Sequence, residues 1–138
     1  MPDPNIIITK FDKERLEEVL ADAAAQAIGP DEHLETFRRT FERATIVAPE
    51  EIPADVVTMN STAYLYDMDF DVTDSYTLVY PEDADIFSNR LSILNPMGMA
   101  ILGRRPGEVA RWQNSSGEHL FELKELAFQP EREGVMNL

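Results

Sequence analysis

The stretch LSILNPMGMAILGRRPGEVARW, residues 91–112, contains most of the signals that decide the fold. It opens with a short run of β-type residues, turns at Pro96, and continues through the apolar helix formers Met-Ala-Ile-Leu. Gly103 ends that helical turn, and RPGE at 105–108 forms a tight turn that leads into EVARWQN, residues 108–114. The stretch therefore predicts a strand, one buried helical turn and a second strand.

The same stretch nearly matches the phosphate loop of nucleotide-binding proteins, because Gly98 and Gly103 are separated by four residues. That loop also needs a lysine and a hydroxyl side chain, whereas Arg104 and Arg105 occupy the two positions here. Pro106 then interrupts the chain where a phosphate loop must open a helix. We therefore expect no nucleotide site, and no other cofactor is implied.

The composition limits the possible partners. The chain has 138 residues and a formal net charge of -14, a length that suits one domain or one small domain with an appendage. The charge argues against direct nucleic-acid binding, and it serves either solubility alone or attraction to a basic protein surface. The absence of cysteine fits a cytoplasmic location. No apolar run reaches membrane-spanning length, so we expect no membrane partner.

Residues 12–44 have the apolar spacing of two helices. The seam positions are Leu16, Leu20, Ala23 and Ala27 in the first helix and Leu34, Phe37, Phe41 and Ala44 in the second. We expect Asp12 to cap the first helix, and IGPDE at 28–32 to connect the two through Gly29 and Pro30. Such a short link predicts a stubby antiparallel coiled-coil hairpin about 24 Å long.

From Asp55 onward the apolar period changes to two, the value of β-strands. The strand-like segments are DVVTMNSTAYLYDMD (55–69), VTDSYTLVYP (72–81), NRLSILNP (89–96), EVARWQN (108–114) and EHLFELKELAFQ (118–129), of which the last alternates imperfectly. Two prolines in VAPEEIPAD, residues 47–55, place a boundary between an N-terminal segment, 1–50, and a second domain, 51–138. The prediction is an α+β fold whose second domain is an antiparallel sheet with one short helix.

Three groups of polar residues are candidates for metal binding. The acidic run DMDFDVTD, residues 67–74, resembles the start of a calcium loop, but Val72 and Leu78 stand where such a loop needs glycine and glutamate. His33 and His119 are the only histidines and cannot complete a typical zinc site. We therefore expect the acidic run to form the solvated end of a β-hairpin, and we expect both histidines to lie on the surface.

The third group, Asp31, Glu32 and Glu35, lies at the expected tip of the hairpin. Carboxylates in a first helical turn are favoured by the helix dipole without any function. Carboxylates at the end of a projecting rod can also hold a magnesium ion against an active site elsewhere. Arg104 and Arg105 likewise have two interpretations, as contacts to an acidic partner or as solvated residues of a turn.

The stretch 91–112 resembles the C-terminal domain of the GreA/GreB family, the transcript cleavage factors of bacterial RNA polymerase. The matching positions are Ser92, Pro96, Met97, Gly98, Ala100, Leu102, Gly103 and Gly107. Asn95 and Glu108 stand where serine and aspartate are usual. The segments PNIIITKFDKERLEEVL (4–20), APEEIPADVVTMNS (48–61), TLVYP (77–81) and FQPEREG (128–134) extend the resemblance to one branch of the family, the regulators of nucleoside diphosphate kinase.

This resemblance implies a short coiled-coil hairpin on an FKBP-like sheet domain that docks at the rim of the polymerase secondary channel. The residues that correspond to the docking loop are Ser92, Leu94, Asn95, Pro96 and Gly98. The resemblance to this branch implies a non-enzymatic protein that occupies the channel and competes with Gre-type factors. It implies no stimulation of cleavage, since cleavage factors have much longer hairpins.

Two alternatives stay open. The first alternative is a Gre-like factor that stimulates transcript cleavage, with magnesium held by Asp31 and Glu32 at the hairpin tip. A prolyl isomerase is suggested by the FKBP-like architecture alone, and fold does not imply function.

Overall fold

The computed structural model describes residues 6–26, 31–114 and 116–134, which form a mixed α+β fold. The helices and strands in chain order are β1 (Ile7–Thr9), α1 (Lys10–Gln26), α2 (Glu32–Glu42), β2 (Thr45–Val47), β3 (Thr62–Asp67), β4 (Val72–Val79), β5 (Arg90–Ser92), α3 (Pro96–Ile101), β6 (Val109–Asn114) and β7 (Gly117–Phe128). Short 3-10 turns lie at Pro49–Glu51, Pro81–Asp83 and Ile86–Ser88. Within the described ranges, none of the helices combines the length and apolar character that a membrane crossing requires.

We call the two long helices, α1 and α2, the hairpin, and their apolar residues belong to the hydrophobic core. The seam predicted by the helical spacing is buried or half-buried and comprises Leu16, Leu20, Ala23, Leu34, Phe37, Phe41 and Ala44. β1 and β2 pair in parallel, with Ile7 opposite Thr45, and this pair holds the start of α1 beside the end of α2. The two helices therefore run in opposite directions. Ala27, Gly29 and Pro30, which the sequence assigned to the seam and the link, lie outside the described residues.

The residue that caps α1 is Thr9, and the prediction that Asp12 caps it was wrong. The Thr9 hydroxyl accepts a hydrogen bond from the Asp12 N–H at 3.1 Å, and the helix begins at Lys10. The physical reason is that β1 extends the chain up to Thr9, which leaves this residue in the cap position. Asp12 lies in the first turn of the helix and is only 4% exposed.

The main sheet has five strands in the order β5-β4-β3-β7-β6. The pairs β3–β4, β3–β7 and β6–β7 are antiparallel. β5 pairs in parallel with β4, so the prediction of an entirely antiparallel sheet was wrong at this edge. The connection between these two strands, residues 80–89, contains two 3-10 turns and is long enough to carry the chain back beside β4.

The last strand, β7, carries two β-bulges that explain its imperfect alternation. Its register against β3 skips Lys124 and Ala127. A skipped residue reverses the faces of all residues beyond it, so Leu123 and Leu126 are both buried although they are three positions apart.

The strand predicted from Asp55 begins only at Thr62. The residues before it, 56–61, form a loop that is buried or half-buried throughout. Val57 exchanges backbone hydrogen bonds with the α3–β6 turn, donating to the Arg104 carbonyl and accepting from the Gly103 N–H, both at 2.9 Å. The loop resembles a strand in sequence because its apolar side chains face the core.

One continuous hydrophobic core joins the hairpin to the sheet. It contains Ile8 and Leu16 from the hairpin side, together with Met59, Leu78 and Tyr80 from the rest of the chain. The base of the hairpin is therefore packed against the sheet and is not held by a linker alone. The division of the chain at residue 50 stays a prediction.

Candidate functional site

The candidate docking residues lie together in the turn between β5 and α3, which we call the proline turn (residues 92–98). The Ser92 hydroxyl accepts a hydrogen bond from the Leu94 N–H at 3.0 Å, and the Asn95 side-chain oxygen accepts one from the Met97 N–H at 2.9 Å. Asn95 thus caps α3, and Pro96 is its first residue, where no N–H is needed. These bonds fix the shape of the turn before any partner binds.

Gly98 is buried and shapes the proline turn from inside. A Cβ atom at this position would lie 2.3 Å from the Ser92 carbonyl oxygen and 3.2 Å from a methyl group of Leu78. Only glycine therefore allows α3 to lie this close to the end of β5. Because it is buried, Gly98 positions the surface of the turn and does not form part of it.

The exposed part of the proline turn is uncharged. Asn95 is exposed, and Ser92, Leu94 and Pro96 are half-buried. Residues 91–103 contain no charged side chain, in a protein whose net charge is -14. The turn therefore presents a small, rigid and neutral surface on an acidic protein.

A cleft of about 980 Å³ adjoins the proline turn, between α2 on one side and α3 and β6 on the other. Pro96 lines this cleft, and so do Glu32 and His33 from the first turn of α2. His33 is half-buried here, whereas the sequence predicted a surface residue. The proline turn and the start of α2 thus face a common depression.

The three predicted tip acids have different surroundings. The Asp31 carboxylate accepts a hydrogen bond from the Leu34 N–H at 3.1 Å and so caps α2. Glu32 and Glu35 are exposed in the first turn of the helix, where the helix dipole favours negative charge. In the part of the chain that the structure describes, no group of three or more acidic or histidine side chains is placed to hold a metal ion.

The arginines and the second histidine make contacts within the chain. The Arg104 Nε donates to the Ala100 carbonyl at 3.1 Å, which satisfies the end of α3. Arg105 lies 3.5 Å from the Asp55 carboxylate. The His119 ring stacks on Trp112, with 5.6 Å between the ring centroids.

Asp12 forms the centre of a polar contact between the hairpin and the sheet, which the sequence did not reveal. Its Oδ2 accepts a hydrogen bond from the Met59 N–H at 3.1 Å, and the Tyr80 hydroxyl lies 3.5 Å from its Oδ1. Burial raises the pKa of Asp12 to about 7, against the opposing effect of the Met59 hydrogen bond. The Arg15 guanidinium lies 3.8 Å from the centroid of the Tyr80 ring.

The segment after β7 holds the buried loop that supplies Met59. The Thr58 hydroxyl donates to Glu131 at 2.7 Å. The Gln129 side-chain amide donates to the carbonyls of Pro53 at 2.8 Å and Val56 at 2.7 Å. We call this set of contacts, together with those of Asp12, the joint. No local motif reveals the joint, because its partners are separated by 47 to 76 residues in the chain.

Comparison with known proteins identifies the family. Residues 52–127 match the family model described as transcription elongation factor, GreA/GreB, C-terminal. The regulator of nucleoside diphosphate kinase of Escherichia coli strain K12 is 37% identical over 97% of each chain. Transcription elongation factor GreA of Chloroherpeton thalassium is 31% identical over 67% of this chain and 59% of its own length.

A solved structure has the same fold. The prokaryotic transcription elongation factor GreA/GreB from Nitrosomonas europaea superposes with a TM-score of 0.73 and 35% identity, over 89% of this chain and 99% of that chain. The family model covers more than half of the sequence, and the Escherichia coli relative aligns along nearly all of it. The chain therefore belongs to the GreA/GreB family of transcription elongation factors and, along nearly its whole length, is similar to the family's regulators of nucleoside diphosphate kinase.

Proposed function

We propose that this chain regulates transcription elongation by docking at the rim of the secondary channel of bacterial RNA polymerase. Its hairpin then points into the channel, where it competes with Gre-type factors and does not itself stimulate transcript cleavage. The observation that carries this proposal is the proline turn, a neutral and hydrogen-bonded surface in a chain that belongs to a family of elongation factors.

The proline turn suits a contact with a partner because binding would order it at a small cost in conformational entropy. A loop that is already fixed by Asn95 and Pro96 loses little conformational entropy when a partner binds. A neutral surface also loses less hydration than a charged one. The acidic remainder of the protein would draw the chain toward a basic region of the polymerase.

The short hairpin supports competition over cleavage. α1 has 17 residues and is therefore about 26 Å long. Asp31, the first of the tip acids, already caps α2 through its carboxylate. A short rod whose first acid is engaged within its own helix is better suited to filling a channel than to holding a metal ion at its far end.

The family resemblance also implies what each part of the chain contributes to the proposed complex. Residues 1–50 supply a short coiled-coil hairpin, and residues 51–138 supply an FKBP-like domain that makes the contact with polymerase. The prolyl isomerase interpretation rests on architecture alone, and we do not adopt it.

One observation favours a second candidate, a factor that stimulates cleavage. Glu32 and Glu35 are exposed in the first turn of α2. In this candidate, Glu32 and the neighbouring Asp31 would hold magnesium if the tip reaches the polymerase active centre. The replacement of Asp31 and Glu32 together by alanine would then abolish transcript cleavage by this chain.

A single assay tests both candidates. A backtracked elongation complex is titrated with this chain, with and without a cleavage-competent Gre factor, and the shortened transcripts are measured. We expect Gre-stimulated cleavage to fall and no cleavage from this chain alone. Asn95→Ala with Pro96→Ala should abolish the competition, whereas Asp74→Asn, at an exposed position of β4, should leave it intact. Cleavage by this chain alone would favour the second candidate, and full competition by the double variant would refute the role of the proline turn.

A further inference from the structure

Two adjacent large apolar side chains, Ile86 and Phe87, project from the edge of the sheet almost entirely into solvent. They are 78% and 94% exposed, the two highest values among the exposed large apolar residues of the described ranges. Isolated exposed apolar residues are ordinary on a protein surface, whereas neighbouring ones form a patch that indicates an interaction. We call this pair the apolar knob.

The loop that carries the apolar knob is rigid. The Asp85 carboxylate accepts a hydrogen bond from the Phe87 N–H at 3.0 Å, and Asp85 and Arg90 exchange two backbone hydrogen bonds of 2.9 Å. Asn89 has a positive φ of 54°, and its side-chain amide anchors the loop to the backbone of β4 at 3.0 Å. The two apolar side chains are thus held outward by a defined structure and not by a loop that is free to fold them away.

The apolar knob and the proline turn lie at the two ends of one edge strand. The knob precedes β5 and the proline turn follows it, and β5 is the outermost strand of the sheet on this side. Its three residues span about 10 Å. Both features are therefore within reach of a single protein surface of ordinary interface size.

The charges beside the knob indicate the chemistry of its partner. Glu82, Asp83 and Asp85 are exposed just before it, and Arg90 is the one cation among residues 81–90. A matching surface would have an apolar pocket with a basic rim. A second copy of this chain fits poorly, because two knobs in contact would bring their carboxylates together.

We infer that the apolar knob is a second anchor on RNA polymerase, in which Ile86 and Phe87 enter an apolar pocket with a basic rim beside the surface that receives the proline turn. This inference rests on the proposed function and adds a residue pair and a partner chemistry to it. Large apolar side chains that fill a pocket typically dominate the affinity of an interface.

The test measures the dissociation constant of the full chain on immobilised core RNA polymerase. Ile86→Ser with Phe87→Ser should weaken binding at least about tenfold, since buried anchors commonly contribute this much or more. The matched control is Phe70→Ser, because Phe70 is 75% exposed but lies in the β3–β4 turn. We expect the control to bind within about twofold of the unmodified chain. Both variants change exposed residues, and thermal unfolding checks that their folds are intact.

The outcomes test the apolar knob and the proposed function separately. If the Ile86 and Phe87 double variant binds as well as the unmodified chain while Asn95→Ala with Pro96→Ala binds weakly, the knob is refuted and the proposed function stands. If the unmodified chain does not bind polymerase at all, both are refuted. A dimer in sedimentation experiments that becomes a monomer in the Ile86 and Phe87 variant would identify a second copy as the occupant and overturn the inference.

Discussion

Replacement of Asp12 by asparagine should stabilise the protein at alkaline pH and remove a pH dependence that the wild-type chain has. The carboxyl of Asp12 has a pKa of about 7 in the folded protein, because it is buried between α1 and the loop that supplies Met59. In the unfolded chain its pKa is about 3.9. Asparagine keeps an oxygen that can accept the Met59 N–H bond and has no proton to lose.

The sign of the effect follows from the protons that each state binds. Below about pH 4, Asp12 is protonated in both states, and its contribution to stability is fully present. Between about pH 4 and 7 the folded state keeps a proton that the unfolded state has lost, so the free energy of unfolding falls as the pH rises. Above about pH 7 the contribution is lost. A difference of about three pKa units at about 1.4 kcal/mol per unit amounts to about 4 kcal/mol.

Urea denaturation followed by circular dichroism at pH 5 and pH 8, at one ionic strength, measures the effect. The advantage of Asp12→Asn over the wild-type chain should be about 3 kcal/mol greater at pH 8 than at pH 5. Asp22→Asn is the matched control, because Asp22 is an exposed residue of the same helix. Its difference from the wild-type chain should be the same at both pH values. An advantage of Asp12→Asn that does not change with pH would refute the assignment of a protonated, buried carboxyl.

Three further substitutions test other parts of the fold, each by urea denaturation. Gly98→Ala places a Cβ atom 2.3 Å from the Ser92 carbonyl and should destabilise the fold by about 1–3 kcal/mol, and no loss would mean that α3 can shift freely. Leu16→Ala removes a fully buried side chain of the shared core and should cost about 2–5 kcal/mol, in one transition that includes both hairpin and sheet. Asp31→Ala removes the hydrogen bond to the Leu34 N–H and should cost about 1 kcal/mol, while competition with Gre factors is retained. Loss of that competition would show that the tip acids take part in function.

The sequence predicts those features that depend on neighbours in the chain. Leu16 and Phe37 were assigned to the hairpin seam because the buried face of a helix repeats with a local period. Gly103 was assigned to the end of α3 because glycine adopts positive φ, and it has a φ of 80°. The direction of β5 and the bulges of β7 were missed, since both depend on how a strand meets a distant partner.

In the candidate site, too, local features could be predicted from the sequence, whereas features that depend on distant residues could not. Asn95 and Pro96 form a local capping signal, so the shape of the proline turn could be predicted. The burial of Asp12 depends on Met59, which is 47 residues away, and a capping role was the natural local interpretation. Phe87 lies in the connection that leads to β5, and β5 pairs with a strand more than ten residues away, so its place at the sheet edge could not be predicted from an apolar pair in a run of acids.

The long-range contacts of the joint also have a consequence for the order of events during protein synthesis. The loop with Pro53 and Thr58 leaves the ribosome more than 70 residues before Gln129 and Glu131, whose side chains hold it in place. Until these two residues emerge, the loop that offers its Met59 N–H to Asp12 lacks its outer support. We therefore expect the hairpin to become firmly seated on the sheet only after the segment beyond β7 has been translated.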